Sequence, residues 1–508
     1  MHSRAVIFLL VGVIVVYTVL FSILSVARYN AFHTSNLDLG IIAQVTWNTA
    51  HGRWFETSVD RATNTDLIGS HLGIHVQPIL LFLALLYRLW PDPRLLLILQ
   101  SVALGIAALP LYYVIRLLIE DVKTALIVAC CYLAYPPLGF LNLVDFHPVA
   151  LSVPLLFLAY WALLKERFLL FWVTVLLVLF VRDELAVPIG IWGILNLLQR
   201  RRRYIGLGLV TLAGGWAALC YGFIVPHFNE GLPYRFWQLW AHLPGFPAQP
   251  SVQGGAAQPV SGASPEATIL FLIHLFLPLG FLPFLGLSVL VVALPSLTYL
   301  LLGKRPALHS VGYHYPAVLI PWFFLAVGEG LRRVVHMSPS VKQRRLYRIG
   351  LAFLVIGTIG TNVPLNPIFL YAQHGDFRPD PYQAQIEEAL ALIPPDAGVA
   401  TVNRFGPQLA NRRVLVALEY PAPLRLDHVQ MADYVLLDLV DCRVVPASNP
   451  RAQYAEIVAQ VLQTGSFRMR YWSGRILLLE RGVPVEEETA AILDYVSDLV
   501  ERDCPCWP

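Results

Sequence analysis

Four short stretches of this 508-residue chain concentrate side chains able to move protons, bind anions or hold a metal. Asp38 stands in NLDLG, His71 and His75 lie four residues apart, Asp145 and His147 stand in VDFHP, and Arg182, Asp183 and Glu184 are consecutive in VRDEL. Carboxylates and imidazoles serve as general bases and acids. Imidazole and carboxylate together can ligate a divalent cation, and a guanidinium binds a phosphate or carboxylate through paired hydrogen bonds. Each stretch also has a structural reading. An acid at a helix start caps the helix or meets its dipole. A His pair four apart suits an interface, and Arg-Asp-Glu makes a short loop of internally paired charge.

The elements that position these residues are apolar. The chain is 57% hydrophobic and 14% charged, with a mean hydropathy of +0.61, whereas a soluble domain carries about 25% charged residues. A crossing needs about 20 apolar residues. The runs at 5–27, 94–117, 122–141, 148–164, 168–181, 185–198, 204–225, 267–284, 286–302, 313–331 and 349–369 predict about eleven transmembrane helices. Arg4 precedes a long apolar run with no small-x-small cleavage site after it, so the first helix is expected to be retained. With the N-terminus cytoplasmic, the inner connections hold 15 Lys and Arg, including Arg200 to Arg203, and the longer outer ones hold nine. The positive-inside rule therefore sets the orientation and leaves the C-terminus outside. Counting 77–90 as a span would invert everything after it, so this stretch is read as an interfacial helix. Asp38, Asp145 and Arg182 then all fall on the outer side.

Two domains follow. Residues 1–372 form the membrane domain, with a long outer loop 28–76 and a second one at 226–266. Within the first loop, Ser35 and Asn36 can cap a helix whose apolar residues Leu37, Ile41, Ile42, Val45 and Trp47 predict a membrane-surface face. Residues 373–508 form an acidic domain. From Asp376 onward there are 12 Arg, no Lys and 19 Asp or Glu, a net −7 that leaves +10 for the rest of the chain. Helical patterns at 381–393 and 451–464 alternate with strand patterns at 398–402, 413–417, 433–439, 467–472 and 475–480, and Ser473-Gly474 predicts a hairpin. This is a small α/β domain on the extracytoplasmic side of a cell membrane. No basic aromatic patch suits a nucleic acid. No Walker loop, GxGxxG after a strand or GxSxG is present, so the chain carries no machinery for ATP-driven transport. Cys130, Cys131 and Cys220 fall in apolar helices, whereas Cys442 is expected to pair with Cys504 or Cys506 if the tail is exported.

The strings LDLGIIAQVTWNTAHG (37–52), LILQSVALGIAALPLYY (97–113), YPPLGFLNLVDFHPVALSVP (135–154), VRDELAV (181–187) and IPPDAGVATVNRFGPQLANRR (393–413), with the HVQP stretch and the helix after it (75–90), carry a resemblance. The chain looks like a family of prokaryotic multi-pass proteins defined by a domain of unknown function. That family in turn resembles the GT-C glycosyltransferases, which use polyprenyl-phosphate-linked sugar donors. The resemblance implies transfer of a sugar on the outer face, with Asp38 as the base or metal-linked activator and Asp145 as a second catalytic acid. It implies substrate contacts from His71, His75, His147, Arg182, Asp183 and Glu184, and a polyprenyl-phosphate sugar and membrane lipid as partners. A divalent cation is a candidate cofactor, with Asp38, His71, Asp145 and His147 as candidate ligands. DFHP replaces the paired acids usual in the second motif. Two rival readings remain: a transporter or flippase, which predicts charged or broken segments at mid-membrane, and a non-catalytic assembly protein whose tail binds a partner. The tail arginines Arg404, Arg412 and Arg413, with Asn411, either close over the membrane cavity or pair with the tail's own acids.

Overall fold

The computed structural model describes residues 3–59, 67–232, 234, 263–336, 341–418, 426–440 and 450–501. The chain opens with α1 (Ser3–Asn30), followed by α2 (Ile41–Ala50) and α3 (Ile79–Leu89). Helix α4 (Pro93–Ile106) runs through Ala107 into α5 (Ala108–Ile119); α6 (Val122–Leu133) meets α7 (Pro136–Leu143) at a 44° bend. There follow α8 (Ser152–Leu164), α9 (Phe168–Val181), α10 (Ala186–Leu197), α11 (Arg203–Leu219) and the short α12 (Val225–Phe228). Then come α13 (Pro265–Phe276), α14 (Leu287–Leu302), α15 (Ile320–His336), α16 (Val341–Leu365) and α17 (Pro367–Gln373). Local chemistry sets several ends. The Asp92 carboxylate accepts the Arg94 N–H at 2.8 Å ahead of Pro93 and so caps α4. Asp121 caps α6 in the same way, and Ser264 caps α13.

Five helical stretches are long and apolar enough to cross a membrane by themselves: 4–30, 93–119, 203–228, 282–302 and 345–373. The bent α6–α7 pair makes a sixth. Four further apolar helices, Ile79–Leu89, Pro148–Leu164, Phe168–Val181 and Pro265–Leu279, are shorter. The expected runs thus correspond to helices, but several are cut by proline or bent below the length of a full crossing.

The tail carries a five-stranded sheet. A two-residue ribbon in the first loop supplies β1 (Glu56–Thr57) and β2 (Gly69–Ser70). The tail then adds α18 (Gln383–Ala391), β3 (Val399–Thr401), β4 (Leu415–Ala417), α19 (Leu426–Val429), β5 (Tyr434–Asp438), α20 (Pro450–Gln463), β6 (Phe467–Trp472), β7 (Ile476–Arg481) and α21 (Glu486–Glu501). The sheet order is β4-β3-β5-β7-β6. The pairings of β3 with β4 and β5 are parallel, and those of β7 with β5 and β6 are antiparallel. Gly474, at φ 85, turns the β6–β7 hairpin where Ser473-Gly474 is expected to do so. Cys442, Cys504 and Cys506 lie outside the described residues, as does most of the 226–266 loop.

Burial departs from the expectation in one respect. Helix α2 does not present an apolar stripe to a membrane. Nine of its ten residues are buried, and Leu39, Ile42 and Val45 share one hydrophobic core with Phe405, Leu409, Leu415 and the tail sheet. Gln44 ties the layers together. Its amide nitrogen donates to Ser58 Oγ at 2.8 Å and to the Arg412 and Arg413 carbonyls at 3.2 Å. The face with period 3.6 is real, but the tail covers it in place of lipid. Helix α3 has two apolar faces. Leu80, Leu83 and Tyr87 are buried in this same core, while Phe82, Leu85 and Leu89 stay exposed. An eleven-residue helix cannot cross a bilayer, but such a pair of faces suits a seat between the tail and the membrane surface.

The tail arginines resolve between their two expected roles. Arg404 donates to Asp438 at 2.8 Å and pairs with Asp380, both acids of its own domain. Arg412 donates to the Leu409 and Ala397 carbonyls at 2.7 Å. Arg413 instead pairs with Glu56 of the first loop at 2.9 Å. Asn411 accepts from the Tyr87 hydroxyl at 2.8 Å and donates to the Pro91 carbonyl at 2.6 Å. Arg413 thus fastens the tail to the first loop and Asn411 fastens it to α3 and the turn after it.

Candidate functional site

Asp38 sits in a wide turn, Asn36–Gly40, wound as a single π-helical turn ahead of α2. Ser35 starts it, its Oγ accepting the Leu37 N–H at 3.1 Å. The tail completes it. Asn403 Oδ1 accepts from Ser35 Oγ at 3.1 Å and from the Leu37 N–H at 3.2 Å. The fully buried Asn36 side chain fills the space between Gly40 and Gly406, and a β-carbon on either glycine would collide with it. Asp38 is left as the open member of a buried surround. Its side chain is 37% exposed, against 7% for His147, and its Oδ1 lies 3.2 Å from His147 Nε2.

Asp145 lies behind this turn. Its Oδ2 accepts the Ser35 N–H at 2.7 Å, and its Oδ1 meets Arg28 at 3.3 Å. Arg28 also donates to the Leu143 carbonyl, to the His33 carbonyl at 2.6 Å, and lies 3.7 Å from Asp376 and over the Tyr371 ring. Burial raises the Asp145 carboxyl, the Arg28 charge opposes this and the Asp38 charge adds to it, leaving the carboxyl pushed up to about 6. Its own backbone is left-handed, at φ 84, a costly conformation for a residue with a β-carbon. Gln100 fixes the same turn from α4. Its amide nitrogen donates to the Leu141, Asn142 and Asp145 carbonyls at 2.6 to 3.2 Å, and its oxygen accepts the His147 N–H at 2.8 Å. Replacing Arg28 with Ala is expected to destabilise the fold by about 3–5 kcal/mol, because it strands a buried carboxylate. Adding Asp145→Asn should recover part of that loss, and the thermal unfolding midpoints of the single and double variants in one lipid environment check it.

The VRDEL turn builds a second cluster. Asp183 is fully buried and accepts the Val76 N–H at 3.1 Å and the Tyr221 hydroxyl at 2.7 Å, with His75 Nδ1 at 3.5 Å. Arg182 lies 3.3 Å from both Glu184 Oε1 and His75 Nε2. Burial and the Arg182 charge depress His75 to about 4. Burial would raise the Asp183 carboxyl, but the bonds from His75 and Tyr221 and the Arg182 charge hold it below the usual carboxylate range. His71 turns away, its Nε2 3.1 Å from Gln77 Oε1, so the His71–His75 pair does not converge on one point.

His314 adds to the Asp38 cluster. Its ring stacks on His147 at 3.7 Å between centroids and 22° between planes. Among the described residues one group of three can share an ion: Asp38, His147 and His314 offer ligand atoms all within 4.8 Å of one another. Of the four expected metal candidates, Asp38 and His147 belong to this group. Asp145 is engaged with Arg28 and Ser35, and His71 with Gln77. His314, Asn403, Arg28 and Gln100 are the site residues that sequence reasoning does not single out. For His314 the available signal is the string YHYP at 313–316, placed just ahead of an apolar run.

Two solved structures share this architecture. The chain matches ArnT from Cupriavidus metallidurans bound to undecaprenyl phosphate with a TM-score of 0.55 at 12% identity, covering 93% of this chain and 97% of that one. It matches the same protein in the apo state with a TM-score of 0.53, again at 12% identity, covering 94% and 98%. At that identity the likeness is one of fold. ArnT is a GT-C glycosyltransferase, so the fold is the one the sequence resemblance implies. No curated protein matches the sequence. A family model described as "Predicted membrane protein (DUF2079)" matches residues 28–478, and the chain belongs to that family.

Proposed function

We propose that the chain is a GT-C-type transferase that moves a sugar from a polyprenyl-phosphate-linked donor on the outer face of the cell membrane. The observation that carries this reading is the half-exposed Asp38 carboxylate beside His147, held in a turn that α4, the VDFHP turn and the tail fix together. In this reading the membrane domain covers 1–372 with eleven crossings and a cytoplasmic N-terminus, and 373–508 is the extracytoplasmic domain. Asp38 takes the proton of the acceptor hydroxyl as its oxygen forms a bond to the anomeric carbon. The anomeric carbon–phosphate oxygen bond breaks, and polyprenyl phosphate leaves with the electron pair. Arg182, with His75 beside it, balances the charge on that phosphate. Asp145 acts through the Ser35 backbone, orienting the turn that carries Asp38.

An apolar cavity of about 370 Å³ lies between the α4–α5 junction and α8, lined by Ile106, Leu109, Pro110, Tyr113, Pro154, Leu155, Leu158 and Trp161. It offers a prenyl chain a seat. The fold neighbour bound to undecaprenyl phosphate supports such a lipid as partner. A transporter predicts charged or broken segments at mid-membrane. The candidate acid, Glu329, accepts from the Tyr160 hydroxyl at 2.9 Å and from Arg332 at 2.7 Å, and so is already paired.

The reading is tested by titrating a polyprenyl phosphate into the purified protein in lipid nanodiscs, followed by native mass spectrometry. Saturable binding that Arg182→Ala weakens at least tenfold is expected. Equal binding by the variant removes Arg182 from the phosphate role, and no saturable binding by the wild type argues against the lipid partner.

A further inference from the structure

We infer that the end of the helix bundle remote from the tail holds the head group of an anionic phospholipid. Helix α8 fixes where that end lies. The helical stretch that contains it leaves the VDFHP turn at Pro148 and runs to Leu164, about 25 Å at 1.5 Å of rise per residue. Its far end is thus well separated from the turns that carry Asp38 and His147.

Three connections meet at that end. The turn after α8 carries Lys165, Glu166 and Arg167, and Glu166 pairs with Arg201 of the α10–α11 turn at 2.7 Å. Further back along α8, Tyr160 donates its hydroxyl to Glu329 of α15 at 2.9 Å and stacks on Trp192 of α10 at 6.0 Å between centroids. Glu329 also accepts from Arg332 Nε at 2.7 Å. Lys165, Arg167, Arg200 to Arg203, Arg332 and Arg333 are therefore grouped about the end of α8, against the acids Glu166 and Glu329. All of these cations except Arg202 and Arg332 are exposed.

Basic turns by themselves set the orientation of a membrane chain. Three further observations point to a ligand. The Arg201–Glu166 pair has side chains 86% and 59% exposed, and a bridge of that kind is worth so little that Arg201 can turn to another anion. Arg332 is held in place through its Nε, while its two terminal nitrogens make no hydrogen bond among the described residues and its side chain is 43% exposed. Apolar side chains lie beside the cations: Leu169, Leu198 and Tyr204 are 82%, 79% and 73% exposed. A phospholipid joins an anionic phosphate to acyl chains and meets both kinds of surface at once. An acidic protein segment would satisfy only the cations. A guanidinium binds phosphate through two parallel hydrogen bonds, and basic pockets between transmembrane helices are known seats for anionic head groups. Cations on both the α8–α9 and α10–α11 turns favour a head group with two phosphates over one. The inference does not depend on the transferase reading, whose residues lie at the other end of α8.

The test uses the full chain, purified in detergent and freed of lipid. Cardiolipin, phosphatidylglycerol and phosphatidylcholine with matched acyl chains are the probes, and native mass spectrometry reads the bound lipid. Saturable binding of cardiolipin, at least tenfold tighter than of phosphatidylcholine and weakened by added salt, is expected. The triple variant Arg200→Gln, Arg201→Gln and Arg203→Gln should lose that preference. Its three positions are exposed, so its thermal midpoint without lipid should match wild type. Arg182→Ala should keep the wild-type preference. Equal affinity of the wild-type chain for all three lipids overturns the inference, whatever the variants do. So does a folded triple variant that retains the preference. Loss of cardiolipin binding in Arg182→Ala would put the lipid at the VRDEL turn and overturn it as well. An acidic peptide bound through these arginines by a chain with no lipid preference would replace the lipid with a protein partner.

Discussion

Asp38→Asn is expected to lower sugar transfer by about 10²- to 10⁴-fold, the range over which a positioned general base contributes to a rate. The substitution changes little else. Asparagine keeps the size of the side chain and an oxygen to face His147, and the position is 37% exposed, so the folded protein should stay within about 0.5 kcal/mol of wild type. The turn itself depends on Ser35, Asn403 and Asp145, none of which bonds to the Asp38 carboxylate. Unchanged turnover in Asp38→Asn with an unchanged thermal midpoint would remove Asp38 from the chemistry. A loss of turnover accompanied by a collapsed midpoint would reassign it to structure.

Removing residues 378–508 is expected to abolish both activity and the ordered first outer loop. The tail shares a core with that loop and with α3, containing Leu39, Ile42, Val45, Leu80, Leu83 and Tyr87 on one side and Phe405, Leu409, Leu415 and Val416 on the other. Burying a side chain of this size is worth about 1.5–3 kcal/mol. Exposing the six that remain costs about 9–18 kcal/mol, comparable to the whole 5–15 kcal/mol by which a domain is stable. Limited proteolysis reads the outcome: the truncated chain should be cut within 28–76, where the full chain resists. A finer probe is Asn403→Ala, which leaves the Ser35 hydroxyl without its acceptor and removes one of the two acceptors of the Leu37 N–H, at a cost of about 1–3 kcal/mol. It should depress turnover while the membrane helices remain intact. A truncated protein with a protease-resistant first loop and wild-type turnover would show the tail to be dispensable.

Much of this was legible in the residue order because local rules govern it. The apolar runs became helices, the hairpin formed at Ser473-Gly474, the strand expected at 467–472 is β6, and the one expected at 475–480 is β7, one residue later. Charge at the edges of the apolar runs picked out Asp38 and His147, which lie in one cluster with His314, and Arg182 and Asp183, which lie in a second with His75. The failures are long-range. The apolar face of α2 was legible, but whether lipid or protein covers it depends on a partner about 370 residues away, as the Gln44–Arg412 bond illustrates. His314 stands in the string YHYP, whose meaning comes only from the ring stacked on it. Asp145 reads as a free acid in VDFHP, yet Arg28, 117 residues earlier, occupies it. Periodicity reports which face is apolar and leaves open what that face meets.

The most direct measurement is the fate of a labelled polyprenyl-phosphate-linked monosaccharide, drawn from a panel of hexoses and pentoses and given to the protein reconstituted in liposomes. Mass spectrometry distinguishes intact donor from released polyprenyl phosphate, and a membrane-impermeant chemical probe reports which leaflet holds the donor. The account predicts saturable release of polyprenyl phosphate from at least one donor, on the face bearing the tail, lost in Asp38→Asn. Movement of intact donor between leaflets with no cleavage, unaffected by Asp38→Asn, would contradict it.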